Sequence, residues 1–197
     1  MKYLNQLEYA HIPYRHKTDR EDLTDEQKMS NVRRAGCGLC CACMMVDLLT
    51  DKALSVEDCV RLSEESHANH SAGTDMTILG LVIAEKFGLS YAGTDDLDEV
   101  IRHLQTGGVV IARVGVPEGK EIGLFTKFGH YILLVATDGK EFCFLDPSYT
   151  PEKFTIPERA GKVNTDNAPY LYADVSTVYA EARIGYVKYY LFARQKR

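Results

Sequence analysis

One stretch constrains the fold of this chain more than any other: between residues 39 and 49 only Asp47 is polar. A helix that is apolar on nearly every side cannot lie on a surface and belongs in the interior. Gly36-Cys37-Gly38 opens it, which puts a cysteine in the first turn of a buried helix. Unpaired N–H groups there carry partial positive charge, and that environment lowers a thiol pKa and favours the nucleophilic thiolate. The flanking glycines leave room for a substrate to come close to the backbone at Cys37.

Around this helix the hydrophobic period divides the chain in two. Ser55 and Asp58 frame a helix over 55–65 in the manner of a capping box. Thr74-Asp75 caps a third helix over 76–87, which Gly88 stops. Asp95 or Asp96 starts a fourth, ending near Gln105 before Gly107-Gly108. Beyond that point the period becomes that of strands: 109–114, 130–136 and 141–145, the last two joined by a turn around Asp138-Gly139. A short strand over 153–156, a helix over 174–182 and a final strand over 186–193 complete the reading. Helices first and antiparallel strands afterwards make an α+β fold.

At 197 residues the chain is expected to form a single domain, with the polar stretch 15–34 as a solvated loop or insertion. Hydrophobic residues at 45% and charged residues at 26% exclude disorder and fibrous repeats. Lys and Arg number 23 against 28 Asp and Glu, a net charge of −5, which argues against nucleic acid or an anionic membrane as partner. Met1 to Gln6 lack the apolar run of a signal peptide, and no stretch reaches the ~20 apolar residues of a spanning helix, so the expected setting is cytoplasmic. Of the six cysteines, Cys37, Cys40, Cys41 and Cys43 are too crowded to bridge one another, with only Cys59 and Cys143 elsewhere. Reduced thiols are expected.

A thiolate needs a proton acceptor and a group to orient that acceptor. Gly129-His130 begins a predicted strand, and Asp146-Pro147 ends the strand that hairpins back on it. A two-residue Asp138-Gly139 turn would close on Thr137 opposite Lys140, which sets His130 opposite Pro147 and Asp146 beside it. Asp146 could then fix the tautomer of His130. Cys37, His130 and Asp146 so arranged have the layout of Cys–His–Asp acyl transfer. The cysteine cluster allows other chemistry. Cys40 is a rival nucleophile, a turn deeper in the helix. Cys37 and Cys40 have the spacing of a redox pair, and the four clustered cysteines could bind metal, although structural zinc draws two separated pairs and the sequence has no second one.

Gly36-Cys37-Gly38 opening an apolar helix, then Gly129-His130-Tyr131, then Leu145-Asp146-Pro147 resemble, in that order, the papain-like C39 peptidase family. The match is nearer to its stand-alone C39-like branch than to the domains fused to transporters. The resemblance implies a papain-like fold with the central helix packed on a C-terminal antiparallel sheet. It implies a cysteine peptidase acting on peptide or protein substrates with no metal or organic cofactor. It also implies a glutamine upstream of the nucleophile that donates to the oxyanion; Tyr3-Leu4-Asn5-Gln6-Leu7 matches that setting and makes Gln6 the candidate, with Gln27 as the alternative. Such a donor is worth ~3 kcal/mol of barrier. Leu39, Cys40 and Cys41 replace the proline and small hydroxyl residues usual after the Cys-Gly, so substrate contacts would differ. The same fold could also carry acyl or peptidyl transfer, or be a catalytically silent module.

Overall fold

The computed structural model describes residues 1–15, 29–69, 73–182 and 187–195. Its plan follows from a strand buried on both sides. In β4 (Val109–Val114), Val109 and Ile111 join one apolar cluster while Val110, Ala112 and Val114 join another. Successive strand residues point to opposite faces, so an unbroken apolar run means that both faces are covered. The first face is covered by α2 (Cys37–Leu49) and α4 (Met76–Phe87), with α3 (Val56–Glu65) packed on those two helices. The second carries α5 (Leu97–Gln105) and α6 (Val175–Glu181).

The strands β3 (Leu89–Thr94), β4, β5 (His130–Thr137), β6 (Glu141–Leu145), β7 (Leu171–Asp174) and β8 (Tyr189–Arg194) form one sheet in the order β3-β8-β4-β5-β6-β7. Every neighbouring pair is antiparallel. A separate two-stranded ribbon pairs β1 (Pro13–Arg15) with β2 (Met29–Asn31), and the one-turn α1 (Val32–Ala35) follows it. Helix α2 lies against β5, β4 and β8, with Leu39 to Val46 buried along its length. Each fully buried Leu or Met there contributes roughly 1.5–3 kcal/mol, so α2 is held by its packing and not by a cap. Among the described residues no helix is long and apolar enough to cross a membrane.

The predicted helix ends are where the sequence puts them. Ser55 Oγ accepts from the Asp58 N–H at 3.0 Å and Asp75 Oδ1 from the Thr77 N–H at 2.8 Å. Gly88 closes α4 in the left-handed region at φ +68°. Asp96 is the cap of α5, accepting from Asp98 and Glu99.

Several expectations need correction. The predicted strand over 153–156 is a run of turns, because Lys153 N–H bonds to Thr150 O and Thr155 N–H to Glu152 O, and local bonds of this kind leave no ladder. Strands β3 and β7 were not anticipated: β3 is an edge strand with only Leu89 buried, and β7 has four residues. The polar stretch is not wholly loop, since its two ends pair as β1 and β2; residues 16–28, including Gln27, lie outside the described residues. The start of the last predicted strand, at Tyr186, also lies outside them.

The hairpin between β5 and β6 is wider than a two-residue turn. Thr137 pairs with Phe142, not Lys140, because the Asp138 carboxylate accepts from the N–H groups of both Lys140 and Glu141 and enlarges the loop. A register shift between Leu134 and Ala136 takes back one residue, so Leu133 pairs with Leu145. The net slip of one places His130 level with Ser148 instead of Pro147.

The two glycines beside Cys37 are demanded by packing as well as by access. A Cβ at Gly36 would lie 2.4 Å from Val32 Cγ1 and 2.6 Å from Val32 O. One at Gly38 would lie 3.1 Å from Thr74 Cβ and 3.2 Å from the Tyr131 ring. Gly36→Ala is therefore expected to lose about 1–3 kcal/mol by overpacking, read as a lower urea midpoint at unchanged slope. A wild-type midpoint would mean that Val32 yields and glycine is not required there.

Candidate active site

Cys37 is the first residue of α2 and is partly exposed, whereas Cys40, Cys41, Cys43, Cys59 and Cys143 are buried; all six thiols are free. Gly36 serves α2 as N-cap with no side-chain hydrogen bond, so the positive end of the helix is left to the groups around Cys37. Desolvation pushes the Cys37 thiol up. The hydrogen bond to His130 and the charge of that imidazole, followed by the N–H groups of Tyr131 and Gly38, outweigh it and hold the thiol below its ordinary value. The neighbours go the other way. Desolvation drives Cys40 and Cys41 well above the usual thiol range, and Cys43 is raised by its contact with Cys59 together with burial. Their sulfurs also diverge, Cys41 toward Tyr131 O and Cys43 toward Ser55 O. Among the described residues no group of three or more His, Cys, Asp or Glu is placed to hold a metal ion.

His130 stands at the first position of β5 and is 6% exposed. Its Nε2 lies 2.8 Å from Asp146 Oδ1 and 3.2 Å from Ser148 Oγ. With Nε2 so engaged, Nδ1 is the nitrogen left for Cys37. Burial lowers the basicity of the imidazole and Lys153 works in the same direction. The Asp146 charge and the hydrogen bonds to Asp146 and Cys37 prevail, and His130 is raised above its ordinary value.

Asp146 follows β6 directly and is 0% exposed. A lone carboxylate in that position would take up a proton. Burial does push it that way, but the charges of Lys153 and His130 hold it well below the usual carboxylate range. Lys153 Nζ donates to Asp146 Oδ2 at 2.5 Å and to Ser148 Oγ at 2.7 Å, while Ser148 N–H donates to Asp146 Oδ1 at 2.9 Å. Both carboxylate oxygens are thus met by donors, Oδ1 by His130 and Ser148 and Oδ2 by Lys153.

The segment carrying Gln6 is docked on the same turn. Tyr3 O–H donates to Asp146 O at 2.5 Å, Asn5 Nδ2 to Tyr149 O at 2.8 Å, and Gln6 N–H to Pro147 O at 2.7 Å. The Gln6 side chain is buried; its Nε2 donates to Arg33 O at 2.9 Å and its Oε1 has no partner. Arg33 belongs to α1, the turn of helix that delivers Gly36 and Cys37. The sequence reading thus assembled Cys37, His130 and Asp146 from far-apart segments that the structure brings into contact, and it placed Gln6 on a segment bonded to both sides of that group. It missed Lys153 and Ser148. Asp146-Pro147-Ser148 does carry the signal of a turn in which a carboxylate bonds the N–H two residues on, and a buried aspartate calls for a cation. Nothing in the pattern says which lysine supplies it.

A solved structure of another protein agrees with the fold. The chain is similar to a crystal structure of a candidate C39-like peptidase from Bacillus anthracis, with a TM-score of 0.55 and 10% identity over 82% of this chain and 90% of the other. A second similar structure is UfSP from C. elegans, at a TM-score of 0.41 and 18% identity over 93% of this chain and 32% of that one. No protein-family model and no curated protein matches the sequence. The fold is therefore a mixed helix and antiparallel-sheet fold like that of a C39-like peptidase, a distant relationship carried by structure and not by sequence.

The contrast among the thiols gives a direct test. Brief treatment with iodoacetamide at neutral pH, followed by peptide mass mapping, is expected to label Cys37 and leave Cys40, Cys41, Cys43 and Cys59 unmodified until the protein is unfolded. Equal labelling of all of them would contradict the assigned environments.

Proposed function

We propose that this chain is a cysteine hydrolase of the papain-like, C39-like kind, a peptidase that cleaves peptide or other amide bonds in a peptide or protein substrate through an acyl-enzyme. The observation that carries the reading is one connected group: His130 Nε2 on a fully buried Asp146 at 2.8 Å, with the same imidazole acting on the Cys37 thiol to hold it below its ordinary value.

In this reading Cys37 and His130 rest as thiolate and imidazolium. The sulfur attacks the acyl carbon, a C–S bond forms, and the carbonyl electron pair moves onto oxygen. That oxyanion is met by the Cys37 backbone N–H and by the second Nε2 hydrogen of Gln6, the first being held by Arg33 O. As the oxyanion collapses, the C–N bond breaks and the amine leaves with the proton of His130. Water then attacks the thioester while His130 takes its proton. The acid departs and the ion pair is restored. Asp146 keeps the imidazole in one orientation and balances its charge, and no cofactor is required for any step. The free thiols support a reducing, cytoplasmic setting, and the acidic net charge supports partners other than nucleic acid.

Turnover of a fluorogenic peptide amide is expected to vanish in Cys37→Ala and His130→Ala. Gln6→Ala should lower kcat about 10²–10³-fold, the usual loss for one oxyanion donor, with KM little changed. An acyl adduct on Cys37 seen by intact mass after acid quench would support the pathway. Peptide cleavage that persists in Cys37→Ala would contradict it.

A further inference from the structure

Lys153 has no part in the site read from the sequence, yet it makes the shortest polar contact to the Asp146 carboxylate. It lies in the turn after the Asp146 loop and is nearly buried, its side chain 8% exposed. Its main chain is fixed on both sides: its N–H bonds to Thr150 O at 3.0 Å, and its carbonyl accepts from Arg159 Nη1 at 3.2 Å. Arg159, itself buried, donates from Nε to Gly123 O at 3.0 Å. The lysine is therefore held from behind, and its ammonium group reaches forward to two acceptors.

Those acceptors close a ring. Lys153 Nζ donates to Asp146 Oδ2 and Ser148 Oγ. Ser148 Oγ lies 3.1 Å from Asp146 Oδ1 and 3.2 Å from His130 Nε2, and Asp146 Oδ1 completes the circuit to the same nitrogen at 2.8 Å. A buried carboxylate between an imidazole and an ammonium shares its charge between them. We propose, building on the Cys–His–Asp reading above, that Lys153 is a positioning residue of this site: it pins Asp146 and Ser148 against His130 and competes with the imidazole for the carboxylate, so that His130 parts with its proton more readily than it would beside Asp146 alone.

Among the described residues, the other titratable groups that act on this ring are Cys37 and Cys41 from α2 and Tyr3 from the N-terminal segment. Cys37 shares the proton in question, whereas the Cys41 thiol and Tyr3 phenol are both raised and stay neutral through the working range. Lys153 is then the charge whose removal His130 would feel. The sign is fixed: a cation near an imidazolium disfavours the charged form, so taking the ammonium away must move the His130 titration to higher pH.

The test is an NMR titration of the His130 ring carbon in full-length protein, with the signal assigned by its loss in His130→Gln. Lys153→Gln, which keeps length and a polar tip, should shift the His130 midpoint to higher pH, and Lys153→Arg should return it toward the wild-type value. A lysine that served only the packing of the turn would leave the titration unmoved wherever the protein stayed folded. If Lys153→Gln does not fold, Lys153→Met decides. It also removes the charge while keeping the length and apolar stem of the side chain, and it should likewise raise the midpoint; an unchanged midpoint overturns the proposal. The two levels fail differently. A wild-type His130 that ignores Cys37→Ser and titrates like a free imidazole would sink the Cys–His–Asp reading. A raised wild-type midpoint that Lys153→Gln leaves in place would sink the role of Lys153 alone.

Discussion

The structure turns on a carboxylate that water does not reach. Asp146 is 0% exposed, and an unpaired ion in such a position would cost several kcal/mol. It is kept ionised by His130 on one oxygen and Lys153 on the other, with the Ser148 N–H and hydroxyl completing the shell. Removing either cation would leave the other paired to a half-satisfied anion. Hence the start of β5, the end of β6 and the turn that carries Lys153 are locked to one another by charge in addition to the sheet ladder. The imidazole held in this way is what holds the Cys37 thiol below its ordinary value.

The rest of the fold serves to bring helix α2 to that point. Its apolar surface is buried against β4, β5 and β8, which fixes Cys37 at the end of β5 where His130 begins. The N-terminal segment then ties the helix to the carboxylate loop. Leu4 N–H contacts Met44 Sδ on α2, while Tyr3, Asn5 and Gln6 bond the carbonyls of Asp146, Tyr149 and Pro147. The three bonds to the Asp146 turn connect parts of the chain more than 140 positions apart, and they satisfy the polar backbone of a turn that would otherwise be buried without partners.

Much of this was legible beforehand, for identifiable reasons. The helix around Cys37 announces itself because no surface helix could be so apolar. The caps at Ser55, Asp75 and Asp96 are short-range chemistry, and short-range chemistry can be read from sequence. Strand β4 is legible as a doubly buried run. What escaped was decided by distance or by narrow margins. Strand β3 is an edge strand with one buried residue, so its alternation is faint. The β5–β6 register slipped by one because the Asp138 side chain widened the turn and a bulge took up part of the difference. The prediction that Asp146 lies beside His130 survived that slip because a side chain can reach across one residue of register. Lys153 could not be foreseen, since its partner is set by how the residues after Pro147 coil back, and the pattern suggested a strand there.

The central claim is that Cys37 is held as a thiolate by a protonated His130. Ultraviolet thiolate absorbance followed against pH, as the difference between the wild-type protein and Cys37→Ala, measures this directly. The account predicts one thiolate that forms below the ordinary thiol range of about 8.5 and whose formation moves upward when His130 is replaced by Gln. A difference spectrum that shows Cys37 ionising at or above the ordinary value, unaltered by loss of His130, would contradict it.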